Sequence, residues 1–286
     1  MTQSLRIGTR GSPLALAQAH MVADALRART GTESEIVPIT TTGDVIQDRA
    51  LAEVGGKALW TKELDRALLE GRTDLSVHSM KDVETLRPET LAIAAMLARA
   101  DTRDRLIGAE SLEALSRGAR IGTSSPRRTA QLLARRPDLH CAIIRGNVQT
   151  RLAKIEAGEF DATLLAAAGL DRLGLDLGVP LDLLPAPAQG AIGVEILAGR
   201  RDLADILAAI DHGPTHAEVD AERLFLAALG GDCHSAVAAR AGNGVIQGEI
   251  LSADGSEVRA GTGRPEELAR RLLAEASPAR RAMFGP

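Results

Sequence analysis

Residues 6–13 read RIGTRGSP and residues 120–126 read RIGTSSP. Each ends in a Ser-Pro pair and runs on into a helix-forming stretch, LALAQAHMVADALRAR after the first and RRTAQLLARR after the second. The pattern describes a short strand, a tight loop and a helix opened by Ser at the N-cap and Pro at its first position. In the first helix Leu14, Ala17, Met21, Ala25 and Ala28 recur at helical spacing and are expected to face the core. A second pair of segments agrees. LLEGRTDLSVHS (68–79) and IEAGEFDATLLA (155–166) both run from a helix through Gly and Asp into an apolar strand, with Gly71 and Gly158 where a helix should end. Two similarly built α/β lobes are expected.

The run LAIAAML (91–97) should be the strand that closes the first lobe's main segment, and ARADTRDRL (98–106) reads as a crossover to the second. That lobe continues through CAIIRGN (141–147), DATLLAAAGL (161–170) and PLDLLPAPAQGAIGVEI (180–196), whose last part should return to the first lobe, since paired lobes need two hinge strands. After about residue 216 the texture changes. AEVDAERLFLAAL is an amphipathic helix; AVAARA, VIQGEILSA and SEVRAGT are strands separated by the hairpin signals Gly242-Asn243-Gly244 and Asp254-Gly255; EELARRLLAEA is a closing helix. The expected division is residues 1–98 with 196–214, then 99–195, then a small α+β module over 215–286.

Hydrophobic residues make up 45% of the 286, enough for real cores, but there is one Trp, no Tyr and only three Phe. Such a chain lacks a stacking platform for single-stranded nucleic acid, and its net charge of −4 provides no basic field to attract DNA. No apolar run approaches the length of a membrane span. The start, MTQSLRIGTRGSPLAL, has neither the basic head nor the apolar run of a signal peptide. Two cysteines cannot make a disulfide framework. A cytoplasmic protein with reduced thiols is expected, without nucleic-acid or membrane partners.

Both repeated loops end at a helix N-terminus, where free N–H groups and the positive end of the dipole favour anions. Capped helices alone explain that much. The arginines add to it. Arg10 lies in the first loop, and Arg127 and Arg128 open the second helix, where cations are electrostatically misplaced and two adjacent ones suggest an acidic ligand between them and the dipole. Arg145 and Arg151 of RGNVQTR and Arg172 extend the set, and the planar guanidinium suits bidentate carboxylate binding. The pairs at 135–136 and 280–281 are expected to be solvated surface charge. HSMKDV (78–83) lies where the DLSV strand runs out, the usual place for ligands in open α/β sheets. Asp82 there is either half of a surface ion pair with Lys81 or a cleft carboxylate that moves a proton or stabilises a cation. Gly55-Gly56-Lys57 is either a plain connection or a lid.

LGGDCHSAV (229–237) places one of the two cysteines, Cys233, in the third module. Cys233-His234 has no second ligand pair, which argues against zinc, and no metal site is expected. Cys141 precedes AII and reads as a small core residue. For Cys233 an acyl-transfer nucleophile remains open, as does covalent anchorage of a cofactor by a Gly-rich loop outside the lobes.

In this order RIGTRGSPLALAQA, TTGD, VGGKALWTKEL, DLSVHSMKDV, GTSSPRRTAQL, RGNVQTRL, AAAGLDRLG, PAPAQGAIGVE and AERLFLAALGGDC closely resemble the porphobilinogen deaminase (hydroxymethylbilane synthase) family over roughly residues 5 to 240. The resemblance implies a transferase of porphyrin and heme biosynthesis, a cytoplasmic monomer. Its first two domains would resemble type II periplasmic binding proteins, followed by the small α+β domain. It implies a dipyrromethane cofactor, one per chain, joined by a thioether to Cys233. Four porphobilinogen molecules would be deaminated and added head to tail to that primer, and hydrolysis would release linear hydroxymethylbilane. Asp82 would be the catalytic carboxylate. Lys81, Thr123, Ser125, Arg127, Arg128 and Gly169 would bind the cofactor; Arg10, Ser12, Arg145, Arg151, Arg172 and Gln189 the substrate; Gly55, Gly56 and Lys57 would form a lid. Trp60, Ala188 and Ala236 stand where the family commonly has Phe, Gly and Pro, and Glu53 stands where some members have Lys. The rival reading is a non-catalytic cytoplasmic two-lobe carboxylate-binding protein, which explains the lobes and arginines but neither HSMKDV nor Cys233.

Overall fold

A computed structural model describes residues 4–41, 61–231 and 235–284. The chain divides into two units, Met1–Ala100 with Gly190–Ala217, and Asp101–Gln189 with Glu218–Pro286.

The first unit holds β1 (Leu5–Arg10), α1 (Pro13–Thr30), β2 (Ser34–Ile39), α2 (Lys62–Leu69), β3 (Leu75–Ser79), a 3-10 turn (Met80–Asp82) and β4 (Leu91–Met96). The second opens with β5 (Asp104–Ile107), β6 (Arg120–Gly122), α3 (Pro126–Arg135), β7 (His140–Ala142), α4 (Val148–Glu156), β8 (Ala162–Ala166), α5 (Ala167–Arg172) and β9 (Val179–Leu181). The chain then returns to the first unit with β10 (Ile192–Leu197) and α6 (Arg201–Leu207).

The two five-stranded sheets are copies of one plan. Their orders are β2-β1-β3-β10-β4 and β7-β6-β8-β5-β9. In each, the first three strands are parallel and the fourth runs antiparallel to both neighbours. That antiparallel strand is contributed by a crossing of the chain, β5 on the way out and β10 on the way back, so the inner repeat expected from RIGT and the Gly-Asp segments is a repeat of whole topology. Two mixed α/β lobes and a further small antiparallel sheet make up the described fold.

Local chemistry sets the ends of the elements. Ser12 and Ser125 accept from the N–H of Ala15 and Arg128 ahead of a Pro at the helix start. Gly71 and Gly158 have φ of 66° and 71°. At both, the glycine N–H and the next N–H bond back to carbonyls three and five residues earlier, the Schellman ending.

Three sequence expectations change. The α1 residues buried on the sheet are Gln18, Ala19, Val22 and Leu26, while Met21 is 42% exposed and Ala28 is exposed. In an alanine-rich helix the apolar stripe is faint, and the large Val22 and Leu26 side chains decide the packed face against Ile7, Leu75 and Val194. ARADTRDRL is not all crossover, because Asp104 opens β5. All of β10 pairs in the first sheet, so the return lies before residue 192, not at 196.

The third sheet, β11 (Val237–Gly242), β12 (Val245–Leu251) and β13 (Val258–Gly263), is an antiparallel meander joined to α7 (Gly213–Ala228), α8 (Pro265–Glu275) and α9 (Pro278–Arg281). Asn243 and Gly244, with φ of 52° and 77°, make the tight first hairpin. Phe225 of α7 and Leu268 and Leu272 of α8 pack on Ile246 and Ile250. This module does not stand apart but groups with the second lobe. Buried Glu222 of α7 accepts from Ala188 N at 2.6 Å and from Ala241 N at 2.8 Å, and Gln131 of α3 donates to Glu249 of β12 at 2.7 Å. Ala188 has a φ of 62°, in the left-handed region that favours glycine, which makes the Glu222 bond a restraint on a strained residue.

The expected surface charge of 280–281 is half corrected: Arg280 is buried, donating to Ala236 O at 3.1 Å and stacking over Phe284 at 4.8 Å. Likewise Arg136 donates to the carbonyls of Leu112 and Leu115 rather than to water alone.

A Cβ at Gly255, in the second turn of the meander, would fall 2.3 Å from Ala134 N and 2.5 Å from Ala130 O of α3. Gly255→Ala is therefore expected to destabilise the protein by about 2 kcal/mol or more in urea unfolding. Parent-like stability would mean that this turn does not pack on α3.

Candidate functional site

The groups singled out from sequence fall into two sets, one in each unit.

In the first unit β1 and β3 lie side by side and parallel, so their C-terminal ends emerge at the same edge. Arg10 ends β1, Ser12 caps α1, and the 3-10 turn carrying Lys81 and Asp82 follows β3 directly. Arg10, Gln18, Thr61, His78, Ser79 and Asp82 are among the residues lining one cavity of about 30 Å³. Asp82 is half-buried. Gln18 is buried and donates through Nε2 to Ser79 Oγ at 2.8 Å.

Beneath this lies a cluster that the sequence reading did not find. Glu195 of β10 has a fully buried side chain. His78 Nε2 lies 3.1 Å from its Oε2, and Arg87 reaches both carboxylate oxygens, Nε to Oε1 at 2.8 Å and Nη2 to Oε2 at 2.9 Å. The same guanidinium binds Glu84 and Asp65 at 2.5 Å each and Thr61 Oγ1 at 3.3 Å. Burial alone would raise the Glu195 pKa, but the hydrogen bonds and charges of His78 and Arg87 lower it to about 2. An ionised carboxylate only accepts, so His78 Nε2 is the donor. Burial holds Asp65 above the usual carboxylate range against the opposing pull of Arg87.

In the second unit Thr123 and Ser125 form the loop into α3, with the Thr123 N–H donating to Ala142 O. Arg127 and Arg128 are buried, and the acid they require is inside the protein: Asp104, which is fully buried, bonds Arg127 Nη1 at 2.8 Å and Arg128 Nη2 at 2.7 Å. The two guanidiniums overcome the burial of Asp104 and hold its pKa far below the usual range, while desolvation lowers that of Arg127. Gln189 joins the cluster, donating to Asp104 Oδ1 at 2.9 Å and Thr102 O at 2.8 Å. Gly169 is buried within α5, whose last residue is Arg172. Partial burial lowers the Arg172 pKa to about 10 against a small opposing effect of Asp171. Arg145 and Arg151 flank the start of α4, capped by Asn147, and Arg151 Nε donates to Gly146 O at 3.0 Å.

Gly55, Gly56, Lys57, Glu53, Trp60 and Cys233 lie outside the described residues. Gly230 and Gly231, described, end α7: Gly230 has a φ of 68°, and the Gly231 N–H donates to Leu226 O at 3.0 Å. Cys141 is half-buried against the second lobe's core, and burial pushes its thiol up to about 11, as befits a packing residue. No group of three or more metal-ligating side chains occurs among the described residues.

Asp104 and Arg87 escaped notice because a charged residue in a short polar segment reads as solvated, and only the folded structure shows the partners each is packed against. A signal was present for Glu195, the single charge in the apolar run AIGVEIL.

The Glu195 pKa in the folded state lies below its ordinary 4.5, so its stabilisation is complete above that pH and is lost as pH falls toward 2. A loss on the order of 3 kcal/mol is expected between neutral pH and pH 2. Urea unfolding across that range checks it: the parent should lose more stability than Glu195→Gln, and equal slopes would contradict the assignment.

The model of the porphobilinogen deaminase dipyromethane cofactor-binding domain matches residues 5–205. A porphobilinogen deaminase of Sphingopyxis alaskensis is 57% identical, covering 98% of this chain and 96% of its own length. One of Paracoccus denitrificans is 50% identical, covering 89% of this chain and 86% of its own. Among solved structures, a periplasmic substrate-binding protein of an ABC transporter from Coxiella burnetii gives a TM-score of 0.46 at 13% identity, over 74% of this chain and 94% of that one. With the family model spanning most of the sequence and relatives aligned nearly end to end, the chain belongs to the porphobilinogen deaminase family.

Proposed function

We propose that this chain joins four porphobilinogen molecules head to tail onto a covalently held dipyrromethane, with loss of ammonia, and releases linear hydroxymethylbilane by hydrolysis. It is a transferase of porphyrin and heme biosynthesis. The observation that carries the reading at the level of residues is Asp82 sharing one cavity with Arg10 at the ends of β3 and β1.

The second unit fits an acidic cofactor. Two guanidiniums share the carboxylate of Asp104, with Glu249 also acting on Arg127, and Arg172 is kept in an environment that already disfavours its charge. Lys81, Thr123, Ser125, Arg127, Arg128 and Gly169 are assigned to the dipyrromethane, which when bound supplies the pyrrole carbon that attacks the incoming substrate. Cys233 is its attachment point. That thiol must stay unoxidised until it is used, which favours a reducing, cytoplasmic setting. All the assigned groups belong to one chain, so the reading needs no second copy and takes the protein as a monomer.

Porphobilinogen carries an acetate and a propionate. Arg10, Ser12, Arg145, Arg151, Arg172 and Gln189 are assigned to hold it, the arginines through bidentate contacts to these carboxylates and Ser12 at the N-terminus of α1. Gln189 acts through Asp104, which it bonds directly. As ammonia leaves the substrate, positive charge develops on the pyrrole nitrogen. The Asp82 carboxylate accepts from the pyrrole N–H, stabilises that charge, and would take the proton that leaves the newly bonded ring carbon, the loss that restores aromaticity. Gly55, Gly56 and Lys57 are assigned to a lid.

Asp82→Ala is expected to fold normally and to lower turnover by about 10²-fold or more, measured as linear tetrapyrrole formed from porphobilinogen. Near-parent turnover would remove Asp82 from its role. Arg145→Leu should fail to accumulate pyrrole-extended enzyme on addition of porphobilinogen, and parent-like accumulation would refute its assignment.

A further inference from the structure

The segment that carries Lys81 and Asp82 is bounded by two residues that end on the same carboxylate. His78, at the last-but-one position of β3, bonds Glu195 Oε2, and Arg87, beyond the turn, chelates both oxygens of Glu195. The stretch between them is thereby closed into a loop by one side chain of β10. The start of β10 and the residue before it support the same loop. Ala191 O accepts from Met80 N at 3.1 Å, and Met80, buried, sits over Gly193, where a Cβ would fall 2.1 Å from its sulfur. In the strand register Gly193 faces His78 and Ile192 faces Ser79. Arg87 adds a second restraint from within the loop through Glu84, and further ones from outside through Asp65 of α2 and Thr61.

We infer that the His78–Glu195–Arg87 cluster is a clamp that sets the position of the Asp82 turn, with Arg87 and Glu195 as positioning residues for the reaction. The inference rests on the reading of Asp82 as the reacting carboxylate. The physical reason is the short reach of the chemistry. A carboxylate that must meet a pyrrole N–H tolerates little displacement, and an error of about 1 Å in such a group costs up to 10²-fold in rate. A 3-10 turn of three residues has little stiffness of its own. Closing the loop at its base with ionic hydrogen bonds in a buried place gives the stiffness that the turn lacks. Arg suits the task because its fork holds Glu195 with two nitrogens while the third reaches Glu84, a geometry an ammonium cannot reproduce.

The test uses the holoenzyme. Arg87→Gln is expected to keep its cofactor, seen in intact mass, and to lose roughly tenfold or more in kcat while KM for porphobilinogen changes far less. Glu195→Gln should behave alike, and if it fails to fold, Arg87→Gln, whose side chain is partly exposed, still decides. In an Asp82→Glu background, where the carboxylate is already displaced, Arg87→Gln should lower kcat by a smaller factor than in the parent. Parent-like kcat in Arg87→Gln, or the same fractional loss in both backgrounds, would overturn the clamp. Asp82→Ala run alongside separates the two claims: an inactive Asp82→Ala with a parent-like Arg87→Gln removes the clamp alone, whereas an active Asp82→Ala removes both.

Discussion

A buried charge must be paired or hydrogen-bonded, and each unit of this protein holds one buried carboxylate paired with buried cationic side chains. Glu195 in the first sheet holds a histidine and an arginine; Asp104 in the second holds two arginines. Both sit on the antiparallel fourth strand of their sheet, β10 and β5. These are the strands that the chain supplies when it crosses between units. The repeat therefore extends beyond topology to the placing of an acidic anchor beside the elements that bear functional groups. Removing either carboxylate would strand buried cations, so these residues serve stability and site geometry together.

Much of the plan is legible in the sequence because it depends on local rules. Ser-Pro helix starts, Gly helix ends and the Asn243-Gly244 hairpin are backbone requirements that few residues meet, and they appear where the structure uses them. The doubled RIGT motif marks corresponding strands β1 and β6. What the sequence hides is the partner of each charge. Arg127 and Arg128 look like ligands waiting for an anion, yet Asp104, far off in sequence and inside a polar stretch, already answers most of that requirement. Arg280 looks like tail charge and is a buried donor to Ala236. The misplaced face of α1 has the same origin: a row of alanines carries too little area to decide which side packs, and the sheet selects Val22 and Leu26.

The third module is joined to the second lobe through polar contacts that converge on the arginine pair. Glu249 bonds Gln131, whose Oε1 accepts from Arg127 at 3.0 Å. Glu222 holds Ala188, and the next residue, Gln189, holds Asp104. The module that carries Cys233 thus contributes to fixing the groups assigned to the cofactor. Gly230 and Gly231 stop α7 just before the cysteine, which reads as a defined end to the helix more than as free reach.

In the proposed reading a covalent primer on Cys233 is the working part of this enzyme, with the arginines and Asp82 assigned to serve it. The most direct measurement is the intact mass of the freshly purified active protein beside that of Cys233→Ser. The parent should exceed its sequence mass by one dipyrromethane unit, and Cys233→Ser should match its own sequence mass and be inactive. A parent at the bare sequence mass while fully active would contradict the account.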